Sequence, residues 1–316
     1  MHILSLLSTD PCFNLAVEEI LLRKREKEYL ILYVNAPSVI IGKHQVAHME
    51  ADTEFITKNN IPVIRRISGG GAVYHDKGNL NFTFILQSEK GHQVDFRKYT
   101  RPVIEFLATL GIDAVFGSKN DLLVNGLKIS GNAEHIFRER VLHHGTLLFD
   151  SDIERLRGSL RKDTSCYVTR AVRSNPSKVM NLKQILPGIK DLDDFREKMY
   201  CCFINRPGNN DTELTNDEIS EAESLAGSKF RTWEWNYAYG PEYYFDNRFI
   251  FADSEHSVRI YVKDGIIKEC DIEGSDMMKQ PGRSLTGCRH MPEDIIECFR
   301  KQNLTFNMKN ILNIFF

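Results

Sequence analysis

The stretch Arg65-Arg66-Ile67-Ser68-Gly69-Gly70-Gly71-Ala72-Val73-Tyr74-His75-Asp76 constrains this chain more than any other. Three consecutive glycines, following the strand-like pattern Ile61 to Arg66, give up conformational entropy that an ordinary turn need not. They fit a place where a ligand approaches the backbone closely, or where the chain takes positive φ. Successive exposed N–H groups make an anion-binding concavity. The two arginines beside it offer planar forks suited to phosphate. The loop is not a Walker loop, because G-x-x-x-x-G-K-[ST] is absent. Nor is it G-x-G-x-x-G opening a helix, so a dinucleotide fold is disfavoured. Stripped of its flanks, the string reads as a flexible surface turn; Arg65-Arg66 and His75-Asp76 are what point to function.

A second constellation lies in Asn120-Asp121-Leu122 and Lys128-Ile129-Ser130-Gly131-Asn132-Ala133. Asn125-Gly126 between them is a hairpin signal, since both positions tolerate positive φ. Lys128 therefore opens a returning strand. A lysine among small residues can reach into a cleft as a point charge; the bland reading is a solvated lysine on an edge strand. In His143-His144-Gly145-Thr146, successive strand residues face opposite sides. At most one histidine shares a site with Lys128, and joint metal ligation is disfavoured.

The surrounding pattern is mixed α/β. Asp10-Pro11 caps a helix carrying the stripe Phe13, Val17, Ile20 and Leu21. Strands are expected over Leu30 to Val34, Ser38 to Gly42, Leu80 to Leu86, Ile112 to Phe116, Leu122 to Val124 and Leu142 to Phe149. Asn35-Ala36-Pro37 supplies the turn between the first two. Helices are expected over Glu50 to Asn59, 96–110, 151–160, 191–203 and 216–226, with 163–180 a loop. Trp233 and Trp235 read as core anchors at alternate strand positions. Beyond Pro241 short strands take over, with Lys263-Asp264-Gly265 a hairpin turn, and helical pieces follow from about 292.

With 316 residues and 42% hydrophobic content, one large and one smaller domain are expected. A net charge of −2 gives no bulk attraction to nucleic acid or anionic membrane. No apolar run of about 18 residues appears, so no transmembrane helix is expected. The apolar stretch Ile3 to Leu7 is too short for a signal-peptide core. Seven scattered cysteines without C-x-x-C spacing argue against a disulfide framework and a zinc site, and for a reducing cytoplasm.

Three segments, Arg65 to Asn79, Asn120 to Ala133 and His143 to Leu148, resemble the lipoate–protein ligases. Weaker similarity covers Thr169 to Leu186 and Lys229 to Asn236. The resemblance implies an α/β (α+β) fold: a biotin/lipoate ligase-like mixed-sheet catalytic domain over 1–240 and a small α+β accessory domain over 241–316. It implies that lipoate and ATP, with Mg2+, give lipoyl-AMP and pyrophosphate. The acyl group then passes to a lysine on lipoyl domains of 2-oxoacid dehydrogenase acyltransferase subunits or on the glycine-cleavage H protein. By motif match, Arg66 and Gly69, Gly70 and Gly71 hold the adenylate, and Val73 and Tyr74 approach adenine through backbone groups. Asn120 and Asp121 lie near the phosphate or its magnesium, with Asp121 the metal ligand. Lys128 is the catalytic residue, contacting the acyl carbonyl and α-phosphate. Ser130, Ala133 and His144 line the lipoyl side, and Ser68, Ala72, His75 and Asn79 complete the binding set. A cysteine-dependent octanoyltransferase is disfavoured, because no cysteine lies between Phe13 and Ser165. A transferase using a preformed acyl donor and a non-catalytic lipoate-binding protein stay open.

Overall fold

The computed structural model describes residues 1–24, 27–88, 95–118, 120–251, 253–274, 282–304 and 306–316. In chain order the elements begin β1 (His2–Ser5), α1 (Pro11–Arg23), β2 (Tyr29–Tyr33), β3 (Ser38–Ile41), α2 (Ala47–Glu50), α3 (Thr53–Lys58), β4 (Val63–Arg65), β5 (Val73–His75) and β6 (Asn79–Gln87). There follow α4 (Phe96–Thr109), β7 (Val115–Phe116), β8 (Asp121–Val124), β9 (Leu127–Phe137), β10 (Arg140–Leu148), α5 (Ile153–Ser159), β11 (Tyr167–Val168), α6 (Leu192–Ile204), β12 (Asn210–Asp211) and α7 (Asn216–Leu225). The chain ends in β13 (Tyr243–Phe251), β14 (Ser254–Lys263), β15 (Ile266–Glu273), α8 (Pro292–Arg300) and α9 (Met308–Phe315).

Among the described residues the main sheet runs β12-β1-β2-β6-β10-β9-β8-β7, and a smaller one runs β4-β3-β5. The period of two explains the layers. In β2, Leu30 and Leu32 enter one core, while Tyr29, Ile31 and Tyr33 enter a second under α1. Both faces of the sheet are thus covered, and β2 reads as an unbroken apolar run. Asp10 caps α1 through the Cys12 N–H, as its sequence position implies.

Several expectations change in detail. Asn35-Ala36-Pro37 does separate two strands, but they lie in different sheets: β2 joins the large sheet and β3 the small one. The helix expected over Glu50 to Asn59 is two pieces, because Ala51 bridges Leu160 and Asp52 starts a new cap on Phe55 N. The strand over Ile112 to Phe116 shrinks to its last two residues. Glu234–Ala238 is a wide helical turn, so Trp233 and Trp235 are not alternate strand positions. Trp235 packs on Phe230 and Tyr239 and donates its indole N–H to Arg65 O at 2.7 Å.

A third sheet, β11-β13-β14-β15, packs with α8 and α9 around its own apolar core. Its edge strand β11 comes from the 163–180 segment, and Val46 and Met49 also enter this core. No helix among the described residues is long and apolar enough to cross a membrane.

His48 and His290 weld this unit to α2. His48 Nε2 lies 2.8 Å from His290 O, and His290 reaches Tyr243 Oη at 2.6 Å and Phe315 O at 2.9 Å. Both rings are buried, and burial pushes His290 down to about 4 and His48 well below its usual range. His75 falls to about 3, mainly through burial. The unfolded chain takes up these three protons near pH 6.5 while the folded chain stays neutral there. Stability therefore declines as pH falls below 6.5, by about 1.4 kcal/mol per unit for each such ring, until the folded values are reached. Burial also lowers His2, His135 and His143, which adds to the decline, whereas Glu50, whose carboxyl burial raises, works the other way. The urea midpoint should drop between pH 7.5 and 5.5; a flat midpoint would mean that these rings titrate inside the fold.

Candidate active site

A cleft of about 420 Å³ opens between the small sheet and one face of the large one. Its floor comes from strand alternation: Tyr33 on β2, Asn81 on β6, His144 and Thr146 on β10, and Gly131 and Ala133 on β9. One wall is Arg66 with Gly70, Gly71, Ala72 and Val73. The mouth carries Asn120, Asp121 and Lys128, and the segment Val172 to Asn175 crosses above.

Lys128 reaches this cleft because of an irregularity. Leu122 pairs with Ser130 but Leu123 pairs with Lys128, which leaves Ile129 as an extra residue on β9. Such a bulge re-aims side chains. Lys128 joins Gly131 and Ala133 on the cleft wall, whereas Ser130, which shares its parity in a regular strand, is buried and does not line it. The Lys128 ammonium pairs with Asp121 at 2.7 Å. A Cβ built on Gly131 would come within 3.2 Å of that nitrogen and 4.0 Å of Val73 Cγ1, so the ammonium and the first side chain of β5 flank the space that Gly131 leaves open. Asn125 and Gly126 both take positive φ, at 52° and 76°, making the expected tight turn.

The glycine loop is held open from within. Arg66 donates to Ser68 Oγ (2.9 Å), Ile40 O (3.2 Å), Gly69 O (2.6 Å) and Gly71 O (2.8 Å). With the carbonyls turned inward, the N–H groups of Gly69, Gly70 and Gly71 donate to no group among the described residues. Ala72 N donates to Ser174 Oγ at 2.7 Å, and that hydroxyl is itself bonded to Glu50 and to Gln45 Nε2. Arg65 corrects an expectation. It is fully buried, and its guanidinium is spent on the carbonyls of Gly42, Lys43, Gln45, Trp235 and Asn236, leaving no fork for phosphate.

At the inner end, His144 Nδ1 lies 3.0 Å from Glu18 Oε2 and its Nε2 lies 2.6 Å from Ser68 Oγ. Glu18 also accepts from Tyr33 Oη at 2.8 Å and from Thr83. Burial pushes the Glu18 carboxyl up, but His144, Thr83 and Tyr33 reverse this and hold it below the usual range. His143 turns to the other face, toward Glu134 and Thr100, so the two histidines separate as alternation requires.

Of the residues expected at the site, Arg66, Gly70, Gly71, Ala72, Val73, His75, Asn120, Asp121, Lys128, Ala133 and His144 line one cleft. Ser68, Gly69, Tyr74, Asn79 and Ser130 do not. Ser68 supports His144 and Arg66 from behind, and Gly69 offers its carbonyl to Arg66. Asn79 holds Asn81 at 2.9 Å, and Tyr74 turns into the core of the small sheet. Sequence reasoning missed Glu18, Tyr33, Asn81, Thr146 and Ser174. Glu18 sits in an apolar helix, where an acid reads as the solvent face. Ser174 lies in a segment without period. No group of three or more metal-ligating side chains occurs among the described residues.

The chain belongs to the lipoyl protein ligase A/B catalytic domain family, whose pattern matches residues 10–204. Among individual proteins it is 34% identical to lipoate–protein ligase 1 of Staphylococcus aureus over 302 residues, 94% of this chain and 92% of that one. A bi-partite lipoate protein ligase from Thermoplasma acidophilum, solved in a study that includes its E2 lipoyl domain, superposes with a TM-score of 0.63. It is 29% identical and the match covers 74% of this chain and 95% of that one. A lipoate-protein ligase A bound with ATP gives a TM-score of 0.62 at 28% identity, covering 75% and 98%.

Proposed function

We infer that the chain is an ATP-dependent lipoate–protein ligase. The observation that carries this is the convergence of unpaired loop amides, Arg66 and Lys128 on one cleft, in a chain of this family. The lipoate carboxylate attacks the α-phosphorus, the bond to the β-phosphate oxygen breaks, and pyrophosphate leaves with the electron pair. The loop amides and Lys128 face the oxygens on which charge accumulates. In the second step a lysine amine attacks the acyl carbonyl. The amide C–N bond forms, the acyl C–O bond breaks, AMP departs and the amine sheds its proton. The enzyme supplies orientation rather than a covalent nucleophile.

Lys128 is the catalytic residue in this reading, with Asn120 and Asp121 at the phosphates and the His144 end on the acyl chain. Asp121 is the carboxylate at the mouth. It suits magnesium, which takes one or two protein carboxylates together with substrate phosphate oxygens and would arrive with the nucleotide. When bound, that ion neutralises phosphate charge. No cysteine lines the cleft, and burial raises Cys12 to about 12 and Cys166 above its usual value. An octanoyl-thioester route through either therefore lacks a thiolate. Acceptors are lipoyl domains or the glycine-cleavage H protein. Residues 1–240 form the catalytic domain and 241–316 its accessory domain, in a cytoplasmic protein whose seven thiols are free.

The test is incubation of purified protein with ATP, magnesium and lipoate. Pyrophosphate release and a lipoyl mass increase on one lysine of a lipoyl domain are expected. Transfer from preformed lipoyl-AMP without pyrophosphate release would assign a transferase; binding with neither reaction would leave a carrier.

A further inference from the structure

His75 lies on β5 with its ring at the cleft, and the mechanism above leaves it without a task. Its Nδ1 is 2.9 Å from Asn35 Nδ2, and its Nε2 is buried with no partner among the described residues. The protein decides which nitrogen carries the proton. Asn14 Nδ2 donates to the carbonyls of Ser8 at 3.0 Å and Val34 at 3.4 Å, so that amide cannot be turned over without setting oxygen against oxygen. The same Nδ2 lies 2.8 Å from Asn35 Oδ1, which fixes the second amide in turn. Asn35 must therefore offer its NH2 group to His75. An NH2 group has no lone pair to offer, so Nδ1 is the acceptor and the ring proton sits on Nε2. All three side chains are at most 4% exposed, so water does not compete for the arrangement.

The outcome is an unpaired N–H donor held at the cleft wall, close enough to Arg66 to feel its charge. A neutral ring beside a guanidinium adds a hydrogen bond without adding a repelling charge. Its complement is an anionic oxygen. We propose that Asn35 is a positioning residue that locks His75 as an Nε2–H donor to an oxygen of the reacting acyl-phosphate group. The identity of that oxygen rests on the ligase reading; the locked tautomer does not.

Asn35→Asp isolates the effect. The carboxylate keeps the amide's shape and still accepts from Asn14, but toward His75 it presents an acceptor. At pH 8.5 the ring proton should move to Nδ1 and leave Nε2 with a lone pair in place of its N–H. Long-range 1H–15N NMR of histidine-labelled protein reads this directly, with His75→Gln assigning the signals. The wild type should show Nε2–H. The variant should show Nδ1–H, with kcat for pyrophosphate release down about 100-fold, the cost of one lost oxyanion donor, and KM for ATP and lipoate changed only a few-fold. His75→Gln, which can turn an amide N–H toward the cleft, should retain more activity than Asn35→Asp. A wild-type ring protonated at Nδ1 overturns the proposal. So does a variant whose ring does not switch, or one that switches at unchanged kcat. Wild-type protein that releases no pyrophosphate, with the Nε2–H signal intact, would sink the ligase reading and leave the tautomer lock standing.

Discussion

Replacing Lys128 with alanine should lower lipoyl-adenylate formation by about 1,000-fold or more, while the melting temperature stays within a few degrees. The two halves follow from different atoms. The ammonium contacts Asp121 and projects into the cleft, so its removal deletes the positive charge at the mouth of the cleft. What ties the residue into the fold is its backbone: its N–H donates to Lys178 O at 2.9 Å, and its carbonyl accepts from Met180 N at 3.0 Å. Alanine keeps both. The Asp121 carboxylate left behind is partly exposed and can turn to water, and a partly exposed ion pair contributes little to stability. Pyrophosphate release from ATP and lipoate, beside a thermal melt of the same sample, separates the two effects. A variant that turns over at the wild-type rate would remove this lysine from the chemistry.

How far the sequence reaches is visible at this residue and its neighbours. Turn chemistry at Asn125-Gly126 placed Lys128 at the head of a strand, and alternation separated His143 from His144; both are local consequences of backbone geometry. The resemblance put Ser130 in the site beside Lys128, whereas the structure buries it away from the cleft. The extra residue at Ile129 answers to the register of two strands, which no local pattern encodes. Arg65 and Arg66 looked equivalent for the same reason. Only the tertiary fold brings five carbonyls around the first and wraps the glycine loop around the second. Glu18 was hidden because its helix is covered on nearly every side, so its acid faces a polar strip of sheet rather than water.

The three glycines, indistinguishable as letters, should differ sharply when substituted, with Gly70→Val the most damaging. Gly70 has φ of +88°, a conformation that β-branched residues scarcely enter. A Cβ there would also sit 3.0 Å from Arg66 Nη2, the nitrogen that holds the carbonyls of Gly69 and Gly71 inward. Valine must displace either the guanidinium or the loop, and in both cases the row of open amides is lost. We expect binding of ATP and lipoate to fall at least about 100-fold, the scale of a lost preorganised donor set. The melting temperature should shift far less, since the loop lines a cleft rather than a core. Gly69→Ala is the matched control. It lies at negative or extended φ, a Cβ would meet nothing within 4 Å, and its N–H is kept, so a loss below about 10-fold is expected. Calorimetric titration of both variants decides the matter. Equal losses would mean that loop flexibility alone sets affinity, and unchanged binding by the valine variant would mean that the ligand does not rest on these amides.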